Sequence, residues 1–269
     1  MKQIRMQSGR SLGFSLIEIA VVLVILAILV TAVGIPLAAQ LDQQRTIETQ
    51  KQLESIKEAI FGFAMANGRL PCPAALAGTS GVEDGTPSTG VCNTYSGFVP
   101  AATLGLSPLD SSGLLVDGWG LTQNRIRYAV RDIDIVAATV TAVPACALSA
   151  KALTRTDGIK TATMSCLANA NAAVNLLTVT STTITNAGAG CTPANLSLKA
   201  PFVIFSLGKN AAAGGTGPDE AQNVLAAATT FVSHTPTPAG HCAGEFDDIV
   251  TWGSLNTLFA RMVQAGRLP

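Results

Sequence analysis

The chain has 269 residues, with 17 Lys+Arg against 17 Asp+Glu, 13% charged residues and 48% hydrophobic ones. That length holds one elaborated domain or two small ones, with ample apolar material for a core. Zero formal net charge and a pI near 6.7 argue against a nucleic-acid partner, which selects a basic surplus or stripe. The apolar content argues against disorder. A mean hydropathy of +0.39 is high for a soluble chain, so the excess is expected to be localised.

It is localised at the N-terminus. Residues 1–13 carry Lys2, Arg5 and Arg10 and no acid, and residues 19–30 are unbroken apolar. The run continues to Ile35, with Thr31 and Gly34 as its soft positions and Glu18 as the sole charge after Phe14. Twenty-two residues, 14–35, rise roughly 33 Å as a helix, enough for one bilayer crossing. The basic flank keeps the N-terminus cytoplasmic and sends the remainder outside. A secretory signal peptide has the same outline, with cleavage at Ala32-Val33-Gly34 or Leu37-Ala38-Ala39. A permanent anchor shares it too. Neither accounts for Glu18, because a carboxylate in hydrocarbon costs a few kcal/mol and normally marks a function and a partner.

Gly13-Phe14-Ser15-Leu16-Ile17-Glu18 followed by this apolar run resembles the processing motif of type IV pilins and type II secretion pseudopilins. The resemblance implies that a prepilin peptidase cuts after Gly13 and methylates the new N-terminal Phe14. It also implies that Glu18 pairs with the terminal amine of a neighbouring subunit during assembly. An ammonium and a carboxylate, each costly alone in lipid, become tolerable as a pair. The partners implied are the peptidase/N-methyltransferase, other pilin or pseudopilin subunits and an inner-membrane assembly platform. The location implied is the inner membrane, single-pass with the head periplasmic, and then a pilus or pseudopilus. Removal of residues 1–13 leaves 14 basic against 17 acidic residues, a net charge of −3.

Residues 36–67 continue the helix as an amphipathic stalk. Leu53, Ile56, Ile60 and Phe63 repeat at helical spacing, and Glu54 with Lys57 supports them. Pro36 beside Gly34 is expected to kink or loosen the helix. Asn67-Gly68 and then Pro71 end it. A helix from Phe14 to Ala66 is about 80 Å long, too long for a small head to cover.

Residues 68–269 form the exported head, and all six cysteines (Cys72, Cys92, Cys146, Cys166, Cys191, Cys242) lie in it without zinc-finger spacing. In an oxidising compartment they read as three disulfides. Of the 15 pairings, the sequential one, 72–92, 146–166 and 191–242, keeps the loops local. Strands are expected at 125–130, 178–185 and 202–205, with the Ala-, Thr- and Asn-rich stretch 136–200 as an elaboration between them. The fold class is α+β: a long N-terminal helix, membrane-spanning in its first half, packed on an antiparallel sheet with large loop insertions.

Three more segments are similar to the major pseudopilin: Asn67 to Pro71; Asp117-Gly118-Trp119-Gly120 before Arg127-Tyr128; and Ser206-Leu207-Gly208-Lys209-Asn210, Gly214-Gly215 and Asp248 to Trp252. Stretches 72–116, 136–200 and 221–244 are unmatched. The resemblance implies a calcium loop with ligands at the Leu207 carbonyl, Asn210 and Asp248, and Asp219 or Asp247 as helpers. Asn210 stands where the family has a carboxylate and Lys209 adds a cation, so the ligand set is short of charge for a hard cation. No other cofactor is implied. Ser206-x-x-Lys209 has the spacing of serine acyl enzymes, but without their companion motifs. His234 and His241 flank a Pro-rich loop ending at Cys242, a turn more readily than a metal site. Asn195-Leu196-Ser197 is a chance sequon, and Trp119 and Trp252 read as core aromatics. The chain is expected to be a minor structural subunit rather than an enzyme, with a tip adhesin as the second reading and an anchored periplasmic enzyme as the third.

Overall fold

The computed structural model describes residues 13, 15–78, 80–131, 151, 153–161, 176–185, 191–213, 215, 217–225 and 228–268, with the side chains of 30–38, 161 and 213 excepted. Residues 1–12, Phe14, Cys146 and Cys166, on which several expectations fall, lie outside these. The chain divides into two units, residues 1–44 and 45–269.

One helix, α1 (Leu16–Asn67), contributes to both units. Leu, Ile, Val and Ala fill its first part, and Gln, Glu, Lys and Ile alternate by face in the second, all residues a helix tolerates. The backbone is helical at Pro36, where the sequence suggests loosening. In the first unit every described apolar side chain from Leu16 to Leu29 is exposed, Leu16 by 87%. Among the described residues no helix is long and apolar enough to cross a membrane, and the described side chains of the run stop at Leu29.

In the second unit α1 buries Leu53, Ile56, Ile60, Phe61 and Ala64, each large one contributing about 1.5–3 kcal/mol of burial. Phe63, expected in this stripe, is half-buried and instead lies under the Arg69 guanidinium, 4.9 Å from its ring centre. The expected Glu54–Lys57 ion pair forms. Gly68 terminates the helix at φ 68°, a left-handed conformation that suits glycine. Its N–H donates to the Ala64 carbonyl at 2.8 Å. Arg69 then grips Glu83 through two hydrogen bonds of 2.7 and 2.6 Å, and Tyr128 Oη donates to the Pro71 carbonyl at 3.0 Å.

The head is α+β. Its strands are β1 (Gly85–Thr86), β2 (Val91–Cys92), β3 (Ser96–Phe98), β4 (Arg127–Val130), β5 (Leu177–Thr180), β6 (Asn195–Ala200), β7 (Phe202–Ser206), β8 (Thr230–Val232) and β9 (Ile249–Trp252). Short helices α2 (Ala101–Leu104), α3 (Gly158–Thr161) and α4 (Pro218–Asn223) intervene, and α5 (Leu255–Gln264) closes the chain. A four-stranded antiparallel sheet runs β3-β4-β7-β9 and a three-stranded one β6-β5-β8. The head is antiparallel as expected, apart from the β5–β8 pair, which is parallel.

β7 explains how the layers stack. Phe202 and Ile204 join Leu53, Ile56, Ile60 and Tyr128 in one apolar cluster. Val203 and Phe205 join Leu177, Val179, Ala200 and Phe231 in another. Because successive strand residues point to opposite faces, the four-stranded sheet lies between α1 and the three-stranded sheet. The stretch 136–200, read as an elaboration, thus contributes β5 and β6 to this second layer. The strand expected over 178–185 ends at Thr180, since Thr182 and Thr183 turn away to bind Asp219.

Cys72 is bonded to Cys92 and Cys191 to Cys242, the partners that the sequential pairing gives these four. A bond closing a 20-residue separation stabilises by about 3 kcal/mol through the unfolded chain. The double substitution Cys72→Ser/Cys92→Ser is expected to lower the unfolding free energy by that amount in urea titration. An unchanged midpoint contradicts it.

Candidate functional site

Two regions collect the residues singled out in the sequence. At the N-terminus Gly13 is exposed and not helical, and a side-chain carbon placed there meets nothing within 4 Å. The Ser15 carbonyl accepts the N–H groups of Glu18 at 3.0 Å and Ile19 at 3.3 Å, so Ser15 starts α1. Glu18 Oε2 in return accepts the Ser15 N–H at 3.4 Å. This is the glutamate half of a capping box, and its length and exposure make it a weak hold. Glu18 therefore remains open to a stronger donor.

The second region is the loop after β7. Gly208 takes φ 64°, and a side chain there would collide with Asp247. Asp247 Oδ2 accepts the Lys209 and Asn210 N–H groups at 3.0 and 3.1 Å. Glu220, on α4, is fully buried. Its carboxylate accepts the Asn210 side-chain amide at 3.1 Å, the Gly217 N–H at 3.1 Å and the Asp247 N–H at 2.9 Å. Asp248 Oδ2 accepts the Asn223 side-chain amide at 2.7 Å.

One oxygen from each of Glu220, Asp247 and Asp248 lies within 4.8 Å of the others. Burial, the largest cause, together with the neighbouring Glu220 carboxylate, pushes the Asp247 carboxyl up to about 6. Asp248 is pushed well above the ordinary carboxylate range by burial and then by the charges of Glu220 and Asp247. Asp247 Oδ1 and Asn210 Oδ1 are buried without a hydrogen-bond partner. Three convergent carboxylates, with Asp247 Oδ1 unpartnered among them, could hold a hard divalent cation.

Of the residues the sequence proposed here, Asn210, Asp247 and Asp248 come together and Leu207 is buried alongside in the second apolar cluster. Asp219 does not join them. It accepts the Thr182 hydroxyl at 2.7 Å and the Thr183 N–H and hydroxyl at 2.8 and 2.7 Å, with His234 Nε2 3.5 Å away. Adjacent helical residues point about 100° apart, so on α4 one acid enters the cluster and the other leaves it. Glu220, the acid that enters, is the one the sequence did not single out. Its signal was the Pro-Asp-Glu run that opens α4, and nothing in the spacing distinguished the two acids.

The Asp117 turn is tied to this loop. Asp117 is buried; its Oδ1 accepts the Trp119 N–H at 2.9 Å, and its Oδ2 accepts the Asn124 side-chain amide and the Ser206 hydroxyl. Asn124 also donates to the Gly208 carbonyl. Burial raises the Asp117 carboxyl above its ordinary range. Ser206 is fully buried and its hydroxyl donates to Asp117, a structural role. Trp252 packs against the second apolar cluster.

The model of the prokaryotic N-terminal methylation motif matches residues 9–34, the segment in which Gly13, Phe14 and Glu18 lie. No curated protein matches this chain, and no solved structure matches it. Residues 9–34 thus carry the prepilin-type motif of type IV pilin-like and pseudopilin precursors, a mark of structural subunits that assemble with their kind.

Proposed function

We propose that this chain is a pilin-like structural subunit of a type IV pilus or type II secretion pseudopilus, cut after Gly13, methylated on Phe14 and assembled through α1. The observation that carries the reading is Glu18, a lone carboxylate in an apolar run that directly follows a Gly-Phe junction. In the membrane the apolar side chains of α1 meet lipid; in the filament they meet neighbouring helices. The bare row from Leu16 to Leu29 requires one of these two covers. Glu18 sets the axial register by accepting the amine of the next subunit.

The second apolar sheet and the unmatched stretches 72–116, 136–200 and 221–244 make a bulky head, which favours a minor subunit over one repeated along the filament. The alternative is a tip adhesin; an anchored enzyme is third. Subunit counting in sheared filaments tests this. A minor subunit is expected at a few per cent or less of the major one, and a dominant band contradicts it.

A divalent cation, with calcium the best match in ligand hardness, fits the loop after β7. Glu220, Asp247 and Asp248 would hold it, with the Asn210 side-chain amide donating to Glu220 beside them, and the ion would supply the positive charge that lets three carboxylates share one buried site. Without it, the raised carboxyls of Asp247 and Asp248 bind protons more tightly folded than unfolded. Stability of the cation-free chain therefore falls as pH rises from about 4 through about 6, where Asp247 loses its proton, and goes on falling as Asp248 loses its own. The expected result is a lower Tm at pH 7 than at pH 5 in chelator. Calcium at about 100 times its Kd should raise the pH 7 Tm by about 5–10 °C. Equal Tm values with and without calcium contradict the assignment.

A further inference from the structure

The molecule has a second convergence of ligand atoms, distant in chemistry from the carboxylate cluster. The sulfurs of Cys191 and Cys242 and a ring nitrogen of His241 lie within 4.8 Å of one another. Cys191 is buried, Cys242 half-buried and His241 exposed, so the group is open on the histidine side. The turn that carries His241 and Cys242 is held by its own hydrogen bonds. His241 N–H donates to the Pro238 carbonyl at 3.0 Å, and Gly244 N–H to the His241 carbonyl at 2.9 Å. The Thr237 hydroxyl donates to the Gly244 carbonyl at 2.8 Å, and Thr237 pairs with Phe246 across the base. This scaffold does not need the disulfide to place the two residues.

His241 Nδ1 lies 3.8 Å from Cys242 Sγ and accepts the Ala243 N–H at 3.2 Å. A nitrogen that accepts carries its lone pair in the plane of the ring with the ring proton on Nε2, so Nδ1 can ligate a cation by exchanging the Ala243 N–H for it. We propose that when the Cys191–Cys242 bond is reduced or not yet formed, the two thiolates and His241 Nδ1 make a three-ligand site for a thiophilic divalent cation, zinc being the natural one. The fourth tetrahedral position faces solvent. Two sulfurs, one imidazole and a water are a standard zinc set, with Zn–S near 2.3 Å and Zn–N near 2.0–2.1 Å. Tetrahedral bonds of that length put the sulfurs about 3.8 Å apart, a modest opening once the bond is cut.

In the reducing step an external dithiol donates two electrons and two protons, the sulfur–sulfur bond breaks, and the dithiol leaves as its own disulfide. The cation then displaces two thiol protons. Among the described residues Cys72 and Cys92 form no such group with a third ligand side chain, and His234 is stacked on Phe246 at 3.9 Å. The site holds the two strands of chain together before oxidation and is erased by it.

The test uses the full-length chain in detergent, reduced with a dithiol, desalted anaerobically and titrated with cobalt(II) as the spectroscopic probe. One equivalent should produce thiolate-to-cobalt charge-transfer bands together with visible tetrahedral bands, both absent from the oxidised chain. His241→Ala, an exposed substitution, should weaken binding by roughly tenfold or more. Zinc should slow alkylation of Cys191 and Cys242 by about tenfold or more while Cys72 and Cys92 react as before, read cysteine by cysteine by mass spectrometry. The same cobalt spectrum in the Cys191→Ser/Cys242→Ser variant overturns the site. So do unprotected Cys191 and Cys242, or loss of the circular-dichroism spectrum on reduction before metal is added.

Discussion

Glu18→Val is expected to remove the chain from filaments while leaving it in the membrane. Valine makes the run from Phe14 to Ile35 uniformly uncharged, which favours residence in lipid by about 2–3 kcal/mol on insertion scales. Membrane yield should therefore match or exceed the wild type. Assembly loses its electrostatic guide, because the amine left by cleavage after Gly13 would enter the apolar core of the filament unpaired. An uncompensated charge of that kind costs about 3–5 kcal/mol, more than a hundredfold in an equilibrium. The Ser15–Glu18 contact within the chain, at 3.4 Å and exposed, is too weak to explain such a loss through the helix end. Glu18→Gln discriminates further: it retains the hydrogen bond and loses the charge, so incorporation should remain closer to the valine variant than to wild type. Wild-type amounts of Glu18→Val in sheared filaments contradict the role given to this residue.

Phe202→Ala should bring the head close to unfolding. Phe202 is fully buried where β7 faces α1. It meets Phe61 edge-on at 5.4 Å and Tyr128 at 6.2 Å between ring centres. Its removal deletes a large part of the contact between helix and sheet and leaves a cavity among Phe61, Tyr128 and their neighbours. Losses of this type are about 3–5 kcal/mol, a large part of the 5–15 kcal/mol that a domain commands. Leu198→Ala, on the exposed edge strand β6 with Leu198 61% accessible, is the matched control and should cost under about 0.5 kcal/mol. Equal urea midpoints for the two variants would mean that α1 and the sheet do not share a core.

These residues also show what the sequence made legible. Helix α1 was readable because its apolar positions recur at a helical period and its end has Asn-Gly. Phe63 was misplaced by one face because Phe61 and Ala64 take the buried positions, and a two-residue offset on a helix with many apolar residues is ambiguous. β7 was readable as four consecutive large apolar residues, and that lack of alternation meant cover on both faces. β6 was not readable: its alternation points Leu196 and Leu198 outward, against the usual sense of the pattern. β8 is three residues long, and β9 was absorbed into a loop motif. In the carboxylate site, Asn210 and Asp248 came from motif order. Glu220 depended on a helix rotation that only the fold determines, and Asp219 was drawn off by Thr182 and Thr183, just past the end of β5.

A prepilin-type peptidase is expected to make the mature chain. The direct measurement is the intact mass and N-terminal sequence of the protein isolated from membranes. The mature chain is expected to begin at N-methylated Phe14 and to lack residues 1–13. A start near Ile35 or Gln40, or an intact chain beginning at Met1 or Lys2, would contradict it.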